Sequence, residues 1–192
     1  MPEQKAVEYL CIYDPAFLEE AQIFLDEFGT NAAVEPVNNT AEIQVAVQKY
    51  AMVRYLEIDL HGSPGMLHFP SGGAMTGTYF GTLLTNANTL CRDARVLFLG
   101  CNVAHGTEGD KFLEDFGKNT FKGIGGTVGA TTVLNSGWRG GVYLKKIKLW
   151  QIPSDEGRLK TCRFDLNGEE IGAREVGRWG KVYWSWSNVP VH

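Results

Sequence analysis

At 192 residues, with 44% hydrophobic and 21% charged side chains, the chain can bury one substantial core but is too short for two ordinary domains and a linker, so residues 1–192 read as a single domain. The formal charge of -4 is small, with both signs spread along the chain, so neither nucleic acid nor an anionic bilayer is expected as a partner. The opening MPEQKAVEYLCIYD has no leader pattern and no run approaches the roughly 20 apolar residues of a membrane span, so the expected protein is soluble and cytoplasmic, or secreted without a classical signal peptide.

The first two thirds alternate short apolar runs with amphipathic stretches, the pattern of strands joined by crossover helices. Ala6 to Tyr13 reads as a strand. Pro15 is placed to start a helix, and Phe17, Leu18, Ala21, Phe24, Leu25 and Phe28 recur at helical spacing until Gly29. Ala32 to Val37 reads as a short strand, and Thr40 as the cap of a helix running to about Tyr50. Arg54 to Leu60 and Arg95 to Leu99 are continuous apolar strands, buried on both faces. Between them lie the hairpin-like GMLHFPSGGAMTG and a helix around Tyr79 to Leu90. Glu108 to Phe116 then reads as a helix and Gly126 to Thr131 as a fourth buried strand. From about Gly140 the texture changes to alternating aromatic and polar residues, with a hairpin signal at Asn167-Gly168. The expectation is a mainly parallel α/β core over about 1–140, with helices on both faces, and an antiparallel β-rich appendage over about 141–192 packed on it. The basic cluster Lys145, Lys146 and Lys148 reads as the solvated face of a strand.

Two strand ends carry chemistry. YLEIDLHGSPG delivers His61 and RVLFLGCNVAHG delivers Cys101, each beside a glycine. In parallel α/β sheets, the carboxyl edge of the strands is where ligands bind, and the ends of neighbouring strands lie about 5 Å apart. A thiol with an ordinary pKa near 8.5 is only partly ionised at neutral pH, and an adjacent imidazole activates it. Cys101 would attack a carbonyl, and His61 would take the thiol proton and return it to the leaving amine. The amides of Gly62 and Cys101 would hold the oxyanion, with Ser63 and Gly65 shaping the loop. Asp59, two residues before His61, falls on the same side of a regular strand and could orient the imidazole or pair with a basic group; an ordinary satisfied carboxylate fits equally well.

An apolar strand ending in His-Gly, followed by one ending in Gly-Cys, resembles the clan of cysteine peptidases that contains caspases, metacaspases, legumain, gingipain, clostripain and separase. HGSPG with LFLGCNVAHGTEG is most similar to a bacterial caspase-like domain of poorly defined function, related to the CHAT proteases. The likeness covers roughly residues 50–132. It implies a caspase-haemoglobinase fold, a three-layer sandwich. It also implies a His61–Cys101 dyad with no obligatory third residue and no cofactor or metal, acting on a peptide or protein substrate. LGCNV stands where caspases carry QACRG, so aspartate specificity is not carried over. Relatives place a residue of the specificity pocket where Asp14 ends the first strand. An acid there would favour a basic substrate side chain, although Asp14 also fits an ordinary helix N-cap before Pro15. The stretch GATTVLNSGWRGG takes the place of the far cleft wall, with Thr131, Thr132, Asn135 and Trp138 as substrate-binding candidates.

The bland readings are specific. Cys11, Cys91, Cys101 and Cys162 have neither the CxxC spacing of a zinc site nor the density of a disulfide scaffold, so reduced thiols are expected. His68 reads as a hairpin surface or packing residue, and His105 leads over the sheet edge toward a helix. With His61 and Cys101 these histidines match no zinc pattern. Trp179, Trp184 and Trp186 read as packing anchors. The function expected is a cysteine endopeptidase. The alternatives are a silent caspase-like domain that binds a protein or peptide, and an autoprocessing or transamidating relative.

Overall fold

A computed structural model describes residues 3–132, 158–177 and 182–187. In chain order the elements are β1 (Lys5–Ala6), β2 (Tyr9–Tyr13), α1 (Leu18–Phe28), β3 (Ala32–Pro36), α2 (Thr40–Gln48), β4 (Tyr50–Ala51), β5 (Val53–Asp59), β6 (His61–Ser63), β7 (Met66–His68), β8 (Ala74–Met75), α3 (Gly77–Ala87), β9 (Leu90–Phe98), α4 (Gly106–Thr120), β10 (Gly126–Thr131), β11 (Arg158–Phe164), β12 (Glu170–Gly177) and β13 (Val182–Ser187). A 3₁₀ turn at Pro15–Phe17 precedes α1.

Local chemistry sets several boundaries. The Asp14 carboxylate accepts from the Ala16 amide and Pro15 follows with its φ already fixed, so the chain turns sharply out of β2. The cap of α2 is Asn39, not the expected Thr40. Its side chain accepts from the amides of Ala41 and Glu42, while Glu42 reaches back to the Asn38 amide. Helix α3 stops at Ala87 because Asn88 takes the left-handed conformation (φ 53°).

The sheet order is β13-β12-β11-β10-β9-β5-β2-β3, parallel from β10 through β3 and antiparallel from β10 to β13. Each parallel neighbour is reached through a helical crossover, as parallel pairing requires. The antiparallel strands therefore continue the main sheet edge to edge instead of packing on a face of it. Pairing β11 with β10 satisfies a row of backbone groups that would otherwise be open. Asn167-Gly168 does lie in the turn between β11 and β12, but the loop runs from Asp165 to Glu169, with the Asp165 carboxylate accepting from the Asn167 and Glu169 amides.

Helices cover both faces. On one, Ala21, Phe24 and Phe28 of α1 bury against Cys11, Tyr13, Tyr55 and Leu97. On the other, Ile43 and Val47 of α2, Phe80 and Leu84 of α3, and Phe112 and Phe116 of α4 cover Leu10, Ile12, Leu56, Ile58, Val96 and Phe98. The Phe98 ring is the hub, with the rings of Phe112 and Phe116 each 5.0 Å away and Phe80 at 5.7 Å. Strand β13 forms the sheet edge, so Trp184 and Trp186 are 37% and 41% exposed and are not the packing anchors expected. Trp184 donates to Glu175, and the Lys160 ammonium lies 5.0 Å from its ring centroid. Lys145, Lys146, Lys148, Asn135, Trp138 and Trp179 lie outside the described residues. No described helix is long and apolar enough to cross a membrane.

Candidate functional site

The chain leaves β2 for β3 on one side and returns across β2 to β5, so connections diverge at β2 and β5. Outside the carboxyl ends of such strands a crevice opens. Asp14 follows β2, Asp59 ends β5, His61 opens β6, and Cys101 follows the adjacent β9.

The loops carrying His61 and Cys101 interlock through two glycines. A Cβ at Gly62 would lie 2.5 Å from Val103 Cγ2 and 2.8 Å from the Cys101 carbonyl oxygen. One at Gly100 would lie 2.8 Å from the Leu60 carbonyl oxygen and 3.2 Å from the Gly62 Cα. Any side chain at either position would push the strand ends apart. The glycines permit this approach, and Val103, which the sequence did not single out, plugs the space beside them.

Further bonds fix the Cys101 turn. The Thr131 hydroxyl donates to the Gly100 carbonyl, and the Ala104 amide donates to the Thr131 carbonyl at 2.8 Å. The Gly65 amide donates to the Val103 carbonyl at 3.0 Å, and Asn102 sits in the left-handed region at φ 57°. His105 stands at the N-cap position of α4 without capping it through its side chain, and its Nδ1 donates to the Thr132 carbonyl at 3.1 Å. The Thr132 hydroxyl lies 3.3 Å from Glu175 Oε1. Thr131 and Thr132, read from sequence as substrate contacts, are buried and bonded to the frame. Thr131 is tied to the Cys101 turn, and Thr132 to His105 and to Glu175 of β12.

His61 stands out into the crevice with 60% of its side chain exposed. Its Nε2 is 3.7 Å from Asp14 Oδ2 and its ring is 5.1 Å from that of Phe17, a neighbour the helical pattern of the sequence did not reveal. Backbone pairing sets His61 opposite His68 in the β6–β7 hairpin, where the Ser63 hydroxyl and His68 Nε2 lie 2.7 Å apart. Ser63 thus braces the hairpin, with Gly62 paired opposite Leu67.

The carboxyl group that faces His61 is Asp14, not Asp59. Asp14 is 3% exposed, and its amide donates to the Asp59 carbonyl at 2.8 Å. Asp59 is buried beneath α1, where loss of solvation, followed by the charges of Glu20 and Asp14, pushes its carboxyl up to about 7. One residue pair further into the sheet, burial and the Asp59 charge push Glu57 up to about 8, against a pull from the Tyr55 hydroxyl 2.9 Å away.

The other thiols are poorly placed for chemistry. Burial holds Cys11 well above the ordinary thiol range, drives Cys162 up to about 12, and raises Cys91. Cys101 is the half-buried cysteine at the carboxyl edge. Among the described residues, no three His, Cys, Asp or Glu side chains group as metal ligands. A cavity of about 650 Å³ lies elsewhere, toward the amino-terminal ends of β9 and β10, lined by Arg95, Thr127, Arg163 and Arg174 among others. No cysteine or histidine lines it.

Comparison with curated proteins and with solved structures gives no match. A family model described as "Domain of unknown function (DUF4347)" matches residues 18–137, more than half of the chain and inclusive of both strand-end loops, and the protein belongs to that family.

Proposed function

We propose that the protein is a cysteine endopeptidase of the caspase-haemoglobinase kind, with Cys101 as nucleophile and His61 as base and acid. The observation that carries this reading is the interlock of the two loops. Adjacent parallel strands lead into His61-Gly62 and Gly100-Cys101, and the backbones of the two loops meet at Gly62 and Gly100. A core histidine or a structural thiol would not require two strand ends to be stripped of side chains so that their loops touch.

In the proposed reaction, Cys101 Sγ gives its proton to His61 and bonds to the scissile carbonyl carbon. The amides of Gly62 and Cys101 stabilise the oxyanion. The C–N bond breaks as His61 returns the proton to the amine. Water, deprotonated by His61, then hydrolyses the thioester and restores the thiol. The mechanism uses no cofactor, and its substrate is a peptide or protein. With Asp14 facing His61 rather than open solvent, substrate preference for a basic side chain has less support than the sequence alone gave it.

The test incubates wild type and Cys101→Ala with a peptide library and an electrophilic peptide probe, read by mass spectrometry. Cleavage and labelling that disappear in the variant support the reading. Cleavage equal in the two proteins refutes it, and labelling of Cys101 without cleavage of any peptide points to transamidation or autoprocessing.

A further inference from the structure

Asp14 is buried, yet one of its oxygens remains aimed at the site. Its Oδ1 is committed to the Ala16 amide at 2.8 Å, and its own amide is tied to the Asp59 carbonyl, so the carboxylate cannot swing away. Oδ2 faces His61 Nε2 at 3.7 Å, too long for a hydrogen bond and within ion-pair range of the ring. Catalytic hydrogen bonds are often long in unliganded sites and shorten when substrate binds. From another side the Phe17 ring backs the imidazole at 5.1 Å.

Resting on the peptidase reading above, we propose that Asp14 is a positioning residue that completes the His61–Cys101 pair as a triad by fixing the tautomer of His61. A carboxylate oxygen opposite Nε2 favours the N–H there and disfavours a lone pair. Nδ1 is then the bare nitrogen left to take the Cys101 proton. Asp59, the other acid at this strand end, is pushed up to about 7 by burial and by the Glu20 and Asp14 charges, and Asp14 is the carboxyl group that faces His61. In an established Ser-His-Asp triad the aspartate has the same duty, and its replacement by asparagine fails because the tautomer is wrong.

The rival role for Asp14 is that of a turn cap alone. Asp14→Asn separates the two, because asparagine caps as well as aspartate while its amide would present N–H groups to Nε2 and invert the tautomer. The experiment compares wild type and Asp14→Asn at a pH where the imidazole is neutral. It uses ¹⁵N-labelled histidine to read the His61 tautomer by NMR, and residue-resolved iodoacetamide alkylation to read Cys101. Cys91, half-buried and at the far end of β9, is the internal control. Expected are an Nε2–H tautomer in wild type, a shift toward Nδ1–H in the variant, and Cys101 alkylation slowed about tenfold or more with Cys91 unchanged. An unchanged tautomer overturns the proposal. So does a shifted tautomer that leaves the Cys101 rate within about twofold of wild type. Neither readout needs turnover, so a wild type that shows the expected tautomer and reactivity but cleaves no peptide refutes the peptidase reading and leaves the role of Asp14 standing.

Discussion

Glu57 is the residue whose behaviour the structure specifies most sharply. It is 3% exposed in the middle of β5, in register between Cys11 of β2 and Leu97 of β9, with the Tyr55 hydroxyl as donor. Burial, then the neighbouring Asp59 charge, moves its carboxyl from the ordinary 4.5 up to about 8. Below about pH 4.5 folded and unfolded chains are both protonated at this position. Between there and about pH 8 only the folded chain keeps the proton, so stability falls as pH rises and levels off above that range. A gap of this size corresponds to at most about 5 kcal/mol. Since Asp59 supplies part of it, about 3 kcal/mol belongs to Glu57 alone. Glu57→Gln keeps the shape and the acceptor for Tyr55 but has no proton to lose. Urea denaturation across pH 4.5 to 8.5 should show equal stabilities at the acid end and a variant more stable by about 3 kcal/mol at pH 8, equivalent to about 6–12 °C in Tm for a chain of this size. A difference that does not change with pH, or a variant weaker at pH 8, would refute the reasoning.

Three further outcomes follow from the packing. Gly62→Ala should separate the two strand-end loops, cost about 1–3 kcal/mol by overpacking, and slow probe labelling of Cys101 by tenfold or more; labelling at the wild-type rate would show that the interlock has no bearing on the thiol. Phe98→Ala should lose about 3–5 kcal/mol in chemical denaturation, because the ring is fully buried among three others that cannot all collapse into its space. Asn39→Ala should lose about 1 kcal/mol, measured the same way, because the amides of Ala41 and Glu42 lose their acceptor.

The sequence was legible where one physical cause dominated. The runs Arg54 to Leu60 and Gly126 to Thr131 gave strands close to those observed, because both are interior strands of the sheet, covered on both faces and buried along most of their length. Leu90 to Asp93 escaped notice as the first half of β9 because Arg92 and Asp93 are exposed at the end of the sheet away from the helices' apolar stripe, and Asp93 takes a left-handed φ of 56° within the strand. Alternating aromatics correctly marked C-terminal strands but carried no information on which edge they would join, so an appendage was expected where a sheet extension stands. At the site, glycines beside His61 and Cys101 were visible. The exchange of roles between Asp14 and Asp59 was not: alternation along β5 puts Asp59 on one face of the sheet, but His61 lies beyond Leu60 in a new hairpin, where that alternation no longer applies.

The distribution of polar groups in the core follows the same logic. The face under α2, α3 and α4 is predominantly apolar, with Phe98 at its centre, and it can carry the stability of the fold. The face under α1 holds Tyr55, Glu57 and Asp59 in a row on β5, beside Cys11, ending next to Asp14. Burial pushes its two central acids up to about 8 and about 7, so both hold their protons further into the neutral range than free carboxyls do, which is costly for stability as the medium becomes alkaline. A sheet whose only task was to fold would gain by replacing them with apolar residues of similar volume. Their row ends at the carboxyl edge where the loops carrying His61 and Cys101 meet. Folds commonly break local packing rules at the sites that do their work, and in this chain the break points to the same strand end that the interlocked glycines mark.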